Sequence, residues 1–145
     1  MFHTKGVVKE RSMRVIIDGG SCNNLASMKM VENLSLTTRP HPHPFFIQWF
    51  NNNDKVKVTR TAHVHFSIST YVDYVDCDVV PMQACSLLLG RPWLLDKNSV
   101  NHGRNNHYIL VHKDKNITLL PMTPDSILKD DINRANKAKQ EKNKS

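Results

Sequence analysis

The 145-residue sequence predicts an all-β fold, a small barrel or sandwich carrying two short helices. Three observations predict it. Apolar and polar residues alternate with period two over much of the chain, as in TAHVHFSI, where Ala62, Val64, Phe66 and Ile68 share one face. The β-prone runs are separated by short polar clusters of turn-forming residues. Helical spacing is confined to two short stretches of the body, and the residues show no internal repeat.

Taken in order, residues 7–9 and 13–17 are apolar-containing runs split by Glu10, Arg11 and Ser12, which predicts a hairpin. The second run, Val15, Ile16 and Ile17, delivers Asp18 and then two glycines. Leu25, Met28, Val31 and Leu34 recur every three residues, one face of a short helix that Asn24 or Ser27 is able to cap. The prolines of HPHP, residues 41–44, predict a break in regular structure. FFIQWF and KVKVT flank Asn51, Asn52, Asn53 and Asp54, a polar turn between β-prone segments that reads as a projecting hairpin. VDYVDCDVV follows TAHVHFSI after Ser69 and Thr70, giving a second antiparallel pair. Leu87, Leu88 and Leu89 form a buried run closed by Gly90, and Pro92 then suits the first turn of a helix with Trp93, Leu94 and Leu95. HYILVH and NITLLP, joined by Lys113, Asp114 and Lys115, make a last hairpin.

Composition narrows the class. The length suits one compact domain, and 39% hydrophobic with 23% charged residues is a globular balance. Cys22, Cys77 and Cys85 are an odd set without CxxC spacing, so neither a disulfide framework nor a thiolate zinc site is indicated, and a reducing intracellular, cytoplasmic setting is expected. No apolar stretch reaches the length of a membrane span, and MFHTKGVVKERS lacks the apolar segment of a signal peptide, so no membrane partner is expected. The net charge of +7 permits attraction to nucleic acid. Much of it lies in residues 129–145, which hold six basic against three acidic residues and little to bury. That tail, 125–145, reads as a solvated segment, helical or disordered, in preference to a dedicated nucleic-acid arm, and it is the one place through which nucleic acid could be bound. It lacks aromatic side chains for base stacking.

The combination of apolar strand, Asp18-Gly19-Gly20-Ser21, short helix, hairpin, and Leu88-Leu89-Gly90 followed by Arg91-Pro92-Trp93 resembles the retropepsin family of aspartic proteases. The similarity is greatest to the protease domains of plant Ty3/gypsy-type retrotransposon polyproteins, and it covers residues 2–124. It implies a retropepsin-like closed barrel with two short helices and an aspartic endopeptidase that needs no cofactor. Two carboxylates about 3 Å apart cannot both ionise, so a pair of them shares one proton: one activates water while the other protonates the substrate carbonyl. The chain has one such aspartate, and the resemblance therefore implies a homodimer with Asp18 of each subunit on a two-fold axis. Segments near residues 2–8 and 117–120 are expected to join the subunits. The natural substrate would be a polyprotein, and a start at Met in place of upstream polyprotein is expected of an excised or degenerate copy.

Position by position, Asp18 matches the catalytic aspartate, Gly20 the family glycine and Ser21 the small residue of the catalytic loop. Gly19 departs from the Thr or Ser that hydrogen-bonds across the dimer axis, a loss of about 1 kcal/mol per bond. A catalytically inactive dimerisation or binding module is therefore the alternative reading. Trp49, Phe50, Asn51, Asn52, Asn53 and Asp54 correspond to the flap over an extended peptide substrate, Trp49 being equally readable as packing between strands and Phe50 more readily so. Leu88, Leu89 and Gly90 correspond to the element that braces the catalytic loop from behind.

Weaker signals read as ordinary structure. Asp76 and Asp78 share a strand face and are expected to be solvated. His41, His43, His63 and His65 lack the carboxylate or cysteine partners of a metal site. Cys22 has no His and Asn arrangement to make it a nucleophile, and it is expected to be buried or half-exposed. GRPWLL lacks the second glycine and the lysine of a phosphate loop.

Overall fold

The computed structural model describes residues 1–48 and 55–142. In chain order its strands are β1 (Phe2–Val8), β2 (Arg11–Ile17), β3 (Leu25–Ser27), β4 (Thr38–Gln48), β5 (Lys55–Ile68), β6 (Tyr71–Val80), β7 (Leu87–Leu89), β8 (Val100–His102), β9 (His107–His112) and β10 (Lys115–Leu119). The helices are α1 (Met28–Asn33), α2 (Arg91–Asp96) and α3 (Pro124–Lys142). The predicted all-β body with two short helices is thus present, and the tail adds the third.

Seven strands form one sheet in the order β1-β2-β7-β3-β6-β5-β4, and β5 returns to β1 where Val7 faces Ser67. Closure rests on that one pair, so the sheet is ring-like rather than a continuously walled barrel. Strands β8, β9 and β10 make a small second sheet. The β1–β2 hairpin turns at Lys9 and Glu10, both left-handed at φ 48° and 66°, a twist that suits a two-residue turn. Arg11 and Ser12, predicted to be part of the break, belong to β2. The predicted pairs at Ser69-Thr70 and around Lys113-Asp114 form as read.

Val15, Ile16 and Ile17 are an unbroken apolar run because β2 is covered on both faces. Val15 and Ile17 join the main core with Phe66, Tyr71, Leu87, Leu89 and Trp93, whereas Ile16 packs on the other side with Val58, Val80, Met82 and Cys85. Burial pushes the Cys85 thiol up to about 11, which keeps it protonated and inert.

Two expectations fail in whole or in part for identifiable reasons. The HPHP run does not stop the strand: β4 passes through it, paired to β5 at residues 38–40 and again at 45–48, with the register shifting between Pro40 and Phe45. Prolines are tolerated there because β4 lies at the end of the sheet order and the shift absorbs the missing donors. The helix face holds only in part: Ser27 is the cap and Val31 and Leu34 pack on the core as read, but Leu25 and Met28 do not belong to that face. Leu25 belongs to β3, Ser27 caps α1 by accepting the Met30 N–H at 2.9 Å, and the residues turned inward are Met30 and Val31, with Met28 exposed.

The tail is docked by its acids. Arg14, only 5% exposed, pairs with Asp130 at 2.7 Å and Asp131 at 2.8 Å and donates to the Ile127 carbonyl at 3.1 Å. Lys5 also pairs with Asp130, and Arg134 donates to the carbonyls of Gln83 and Ala84. A second buried cluster ties α2 to β6: Asp73 accepts from the Tyr71 hydroxyl at 2.5 Å, the Tyr74 N–H at 2.8 Å and Lys97 Nζ at 2.7 Å. Burial alone would raise its carboxyl, but the bonds from Lys97, Tyr71 and Tyr74 win and hold it below the ordinary carboxylate value. Among the described residues no helix is long and apolar enough to cross a membrane.

Candidate active site

The site starts where β2 ends. The Asp18 N–H donates to the Leu89 carbonyl at 3.0 Å, so the parallel pairing of Ile16 with Leu88 and Ile17 with Leu89 carries one residue further, onto the carboxylate-bearing residue. The chain then turns tightly: Ser21 N–H donates to the Asp18 carbonyl at 3.1 Å, and Gly20 N–H to Asp18 Oδ1 at 2.9 Å. A Cβ on Gly20 would lie 3.2 Å from that same oxygen, so glycine lets the amide approach and fix the carboxylate without a side chain pressing on it. Asp18 is half-buried, and Gly19 and Gly20 are exposed. A Cβ at Gly19 would meet only Leu94 Cδ1, at an ordinary 3.6 Å.

Gly90 occupies the tightest position. A Cβ there would stand 2.3 Å from the Asn23 carbonyl oxygen and 2.9 Å from that of Ser21. The backbone of β7 therefore passes directly against the loop that follows Asp18. Three contacts secure the crossing: Gly90 N–H donates to Asn24 Oδ1 at 2.8 Å, Arg91 N–H to the Ser21 carbonyl at 2.8 Å, and Ser21 Oγ to the Asn23 carbonyl at 2.8 Å. Leu89 is fully buried and Leu88 half-buried beside it. The structure thus brings Asp18, Gly19, Gly20, Ser21, Leu88, Leu89 and Gly90 into one constellation. Trp49, Phe50, Asn51, Asn52, Asn53 and Asp54 lie outside the described residues, and Gln48 opposite Lys55 is the last described pair before them.

Several members were not foreseen. Asn24, read as a possible helix cap, instead accepts from Gly90. Asp78 is not solvated: its side chain is 13% exposed, and it accepts from Asn23 Nδ2 at 2.7 Å and bonds His41 Nε2 at 3.0 Å. Parity placed it with Asp76, which is indeed 80% exposed and pairs with His63, but parity ignores the loop that folds over one end of β6. Tyr108 on β9 also belongs to the neighbourhood, since burial and then the negative charge of Asp18 push its phenol up. Cys22, expected to be buried or half-exposed, is exposed. Among the described residues no three His, Cys, Asp or Glu side chains converge to hold a metal.

The sequence profile of the PEG10/RTL1 protease domain matches residues 14–110, a span running from the strand that bears Asp18 through α2 and into β9. The chain belongs to that family. Its protease domain is of the retropepsin-like, retroelement-derived kind. Among solved structures, the retroviral protease-like domain of Ddi1 from Leishmania major superposes with a TM-score of 0.60 over 86% of this chain and 96% of its own length, at 12% identity. That likeness establishes the retropepsin-like fold, so the fold class read from the sequence holds, with a ring-like sheet where a closed barrel was expected. Comparison with curated protein sequences gave no match.

Proposed function

We propose that the protein is an aspartic endopeptidase acting as a homodimer, with one Asp18 from each subunit and residues 1–124 as the protease domain. The observation that carries the reading is the seating of Asp18: a carboxylate at the end of a doubly buried strand, oriented by the Gly20 amide and backed by the Gly90 crossing, within the span matched to a protease family. Two such loops facing across a two-fold axis share one proton. The ionised member removes a proton from water as the oxygen attacks the scissile carbonyl, and the protonated member donates to the carbonyl oxygen. Collapse of the tetrahedral adduct with protonation of the amine releases both peptides. An extended substrate is held by strand-like backbone hydrogen bonds, with side chains entering alternate pockets. Processing of a retrotransposon polyprotein, of the plant Ty3/gypsy type by sequence resemblance, is the matching biological role inside the cell.

Asp18→Asn tests this directly. The wild-type chain is expected to cut a peptide library at acidic pH, to be blocked by a statine-type inhibitor that mimics the hydrated transition state, and to lose all cleavage on substitution. Sedimentation with and without the inhibitor reads pairing and pocket together. A wild-type dimer that cuts no peptide defeats the reading.

One observation favours a second reading, a catalytically silent retropepsin-like module that dimerises or binds a partner. Gly19 offers no hydroxyl for a bond across the axis. In that case Asp18→Asn leaves partner binding unchanged.

A further inference from the structure

Strand β4 and the loop after Asp18 are joined by a chain of side chains that the protease reading does not use. His41 lies inside the register shift of β4, between residues paired at Pro40 and at Phe45. Its Nδ1 accepts the His43 N–H at 2.9 Å, which leaves the neutral ring with its proton on Nε2, aimed at Asp78 Oδ1 3.0 Å away. The ring packs edge-on against Phe45, with centroids 5.3 Å apart, and Phe45 in turn rests on the smaller core cluster. Asp78 passes the connection on. Its other oxygen accepts from Asn23 Nδ2 at 2.7 Å, while its backbone N–H donates to the Asn24 carbonyl at 2.9 Å. Asn23 is the residue whose carbonyl accepts from Ser21 Oγ and stands against Gly90.

From this geometry we infer that His41 is a positioning residue for the Asp18 loop, acting through Asp78 and Asn23. The inference rests on the protease reading for its consequence in catalysis, but the coupling itself is a property of the fold. Charge-assisted bonds to a carboxylate are the stronger kind, and this one is shielded, His41 and Asp78 being 14% and 13% exposed. The Pro-rich register shift accounts for the arrangement: irregularities of this sort beside a site re-aim a side chain that a regular strand would point elsewhere. Removing the imidazole leaves Asp78 with one oxygen unpaired, free to rotate away from Asn23. The loop then loses its only side-chain tie to β6 among the described contacts.

The test compares His41→Ala, His41→Gln and wild type by amide hydrogen exchange, which needs no activity. His41→Ala is expected to speed exchange at Gly20, Ser21 and Asn23 about tenfold, the value of one such bond, while amides of β2 and β7 keep their wild-type rates. Gln carries a donor close to the Nε2 position and is expected to restore most of the protection. In cleavage assays kcat is expected to fall about tenfold in His41→Ala with KM unchanged, because substrate contacts are untouched. Unchanged exchange at Gly20, or a uniform rise across β2 and β7, overturns the inference. Should His41→Ala not fold, Asn23→Ala breaks the same chain at its loop end and is read by the same criterion. If the wild type cuts no peptide, the protease reading fails, and exchange still decides whether the coupling exists.

Discussion

Replacing Gly90 by alanine is the most demanding test of how the site is built. A methyl group placed there stands 2.3 Å from the Asn23 oxygen and 2.9 Å from both the Asn23 carbonyl carbon and the Ser21 oxygen. All three are backbone atoms, so no side chain can swing aside, and the strands must part by roughly 1 Å to reach ordinary contact. Forcing extra volume into a filled position costs about 1–3 kcal/mol. Parting also breaks the Gly90-to-Asn24 and Arg91-to-Ser21 hydrogen bonds, both 2.8 Å long, at about 1 kcal/mol each. The sum, about 3–5 kcal/mol, is a large share of a typical domain stability of about 5–15 kcal/mol. For a chain of this length it corresponds to a fall in Tm of about 10–15 °C. Thermal unfolding followed by circular dichroism measures it, with Gly103→Ala as control, because nothing lies within 4 Å of a Cβ there. If Gly90→Ala melts within about 2 °C of the control, the crossing is softer than the distances say and the argument for it is wrong.

Gly19→Thr introduces the hydroxyl that the family pattern supplies, and its Cβ would make only an ordinary 3.6 Å contact with Leu94 Cδ1; the dissociation constant of the proposed homodimer, measured by sedimentation, is expected to fall about thirtyfold, one bond of about 1 kcal/mol being gained per subunit. Asp130→Ala removes the better buried partner of Arg14 and is expected to destabilise the fold by about 3 kcal/mol in urea titration, whereas the same change at the more exposed Asp131 costs under about 1 kcal/mol. Stability is expected to fall in two stages on acidification. His3 has its pKa lowered by burial and by Arg14, so the folded state resists a proton that the unfolded chain takes up, and stability declines as pH drops below about 6.5. Asp73 and Asp130 are both held below the ordinary carboxylate value despite burial, by hydrogen bonds from Lys97 and Tyr71 and by Lys5 and Arg14 respectively. Their contribution is present above the unfolded value near 3.9 and disappears as pH falls through the lower folded values, and Asp73→Asn flattens that limb of a pH titration of Tm.

How much of this was legible in the sequence depended on whether a residue's role was local. The run Val15-Ile16-Ile17 reads as a doubly covered strand because burial on both faces leaves no polar position in it, and Asp18 then stands out by contrast. Ser69-Thr70 and Lys113-Asp114 mark turns through local chemistry alone. Asp78 was misread because strand parity describes one sheet face and says nothing of a loop from residues 21–24 lying across it. The HPHP segment was misread because the penalty on proline assumes a partner on each edge, and β4 has one. The tail's charge count concealed that Asp130 and Asp131, not its lysines, make the ion pairs with Arg14. In each case the missing information was a long-range neighbour, which composition and spacing do not encode.

The hydrogen bond from Gly90 to Asn24 spans 66 positions of the chain. During synthesis the segment bearing Asp18 leaves the ribosome long before the strand that completes its surroundings, so loop closure over that distance must precede assembly of the site. The loop bearing Asp18 therefore stays without its backing until β7 and α2 have been made.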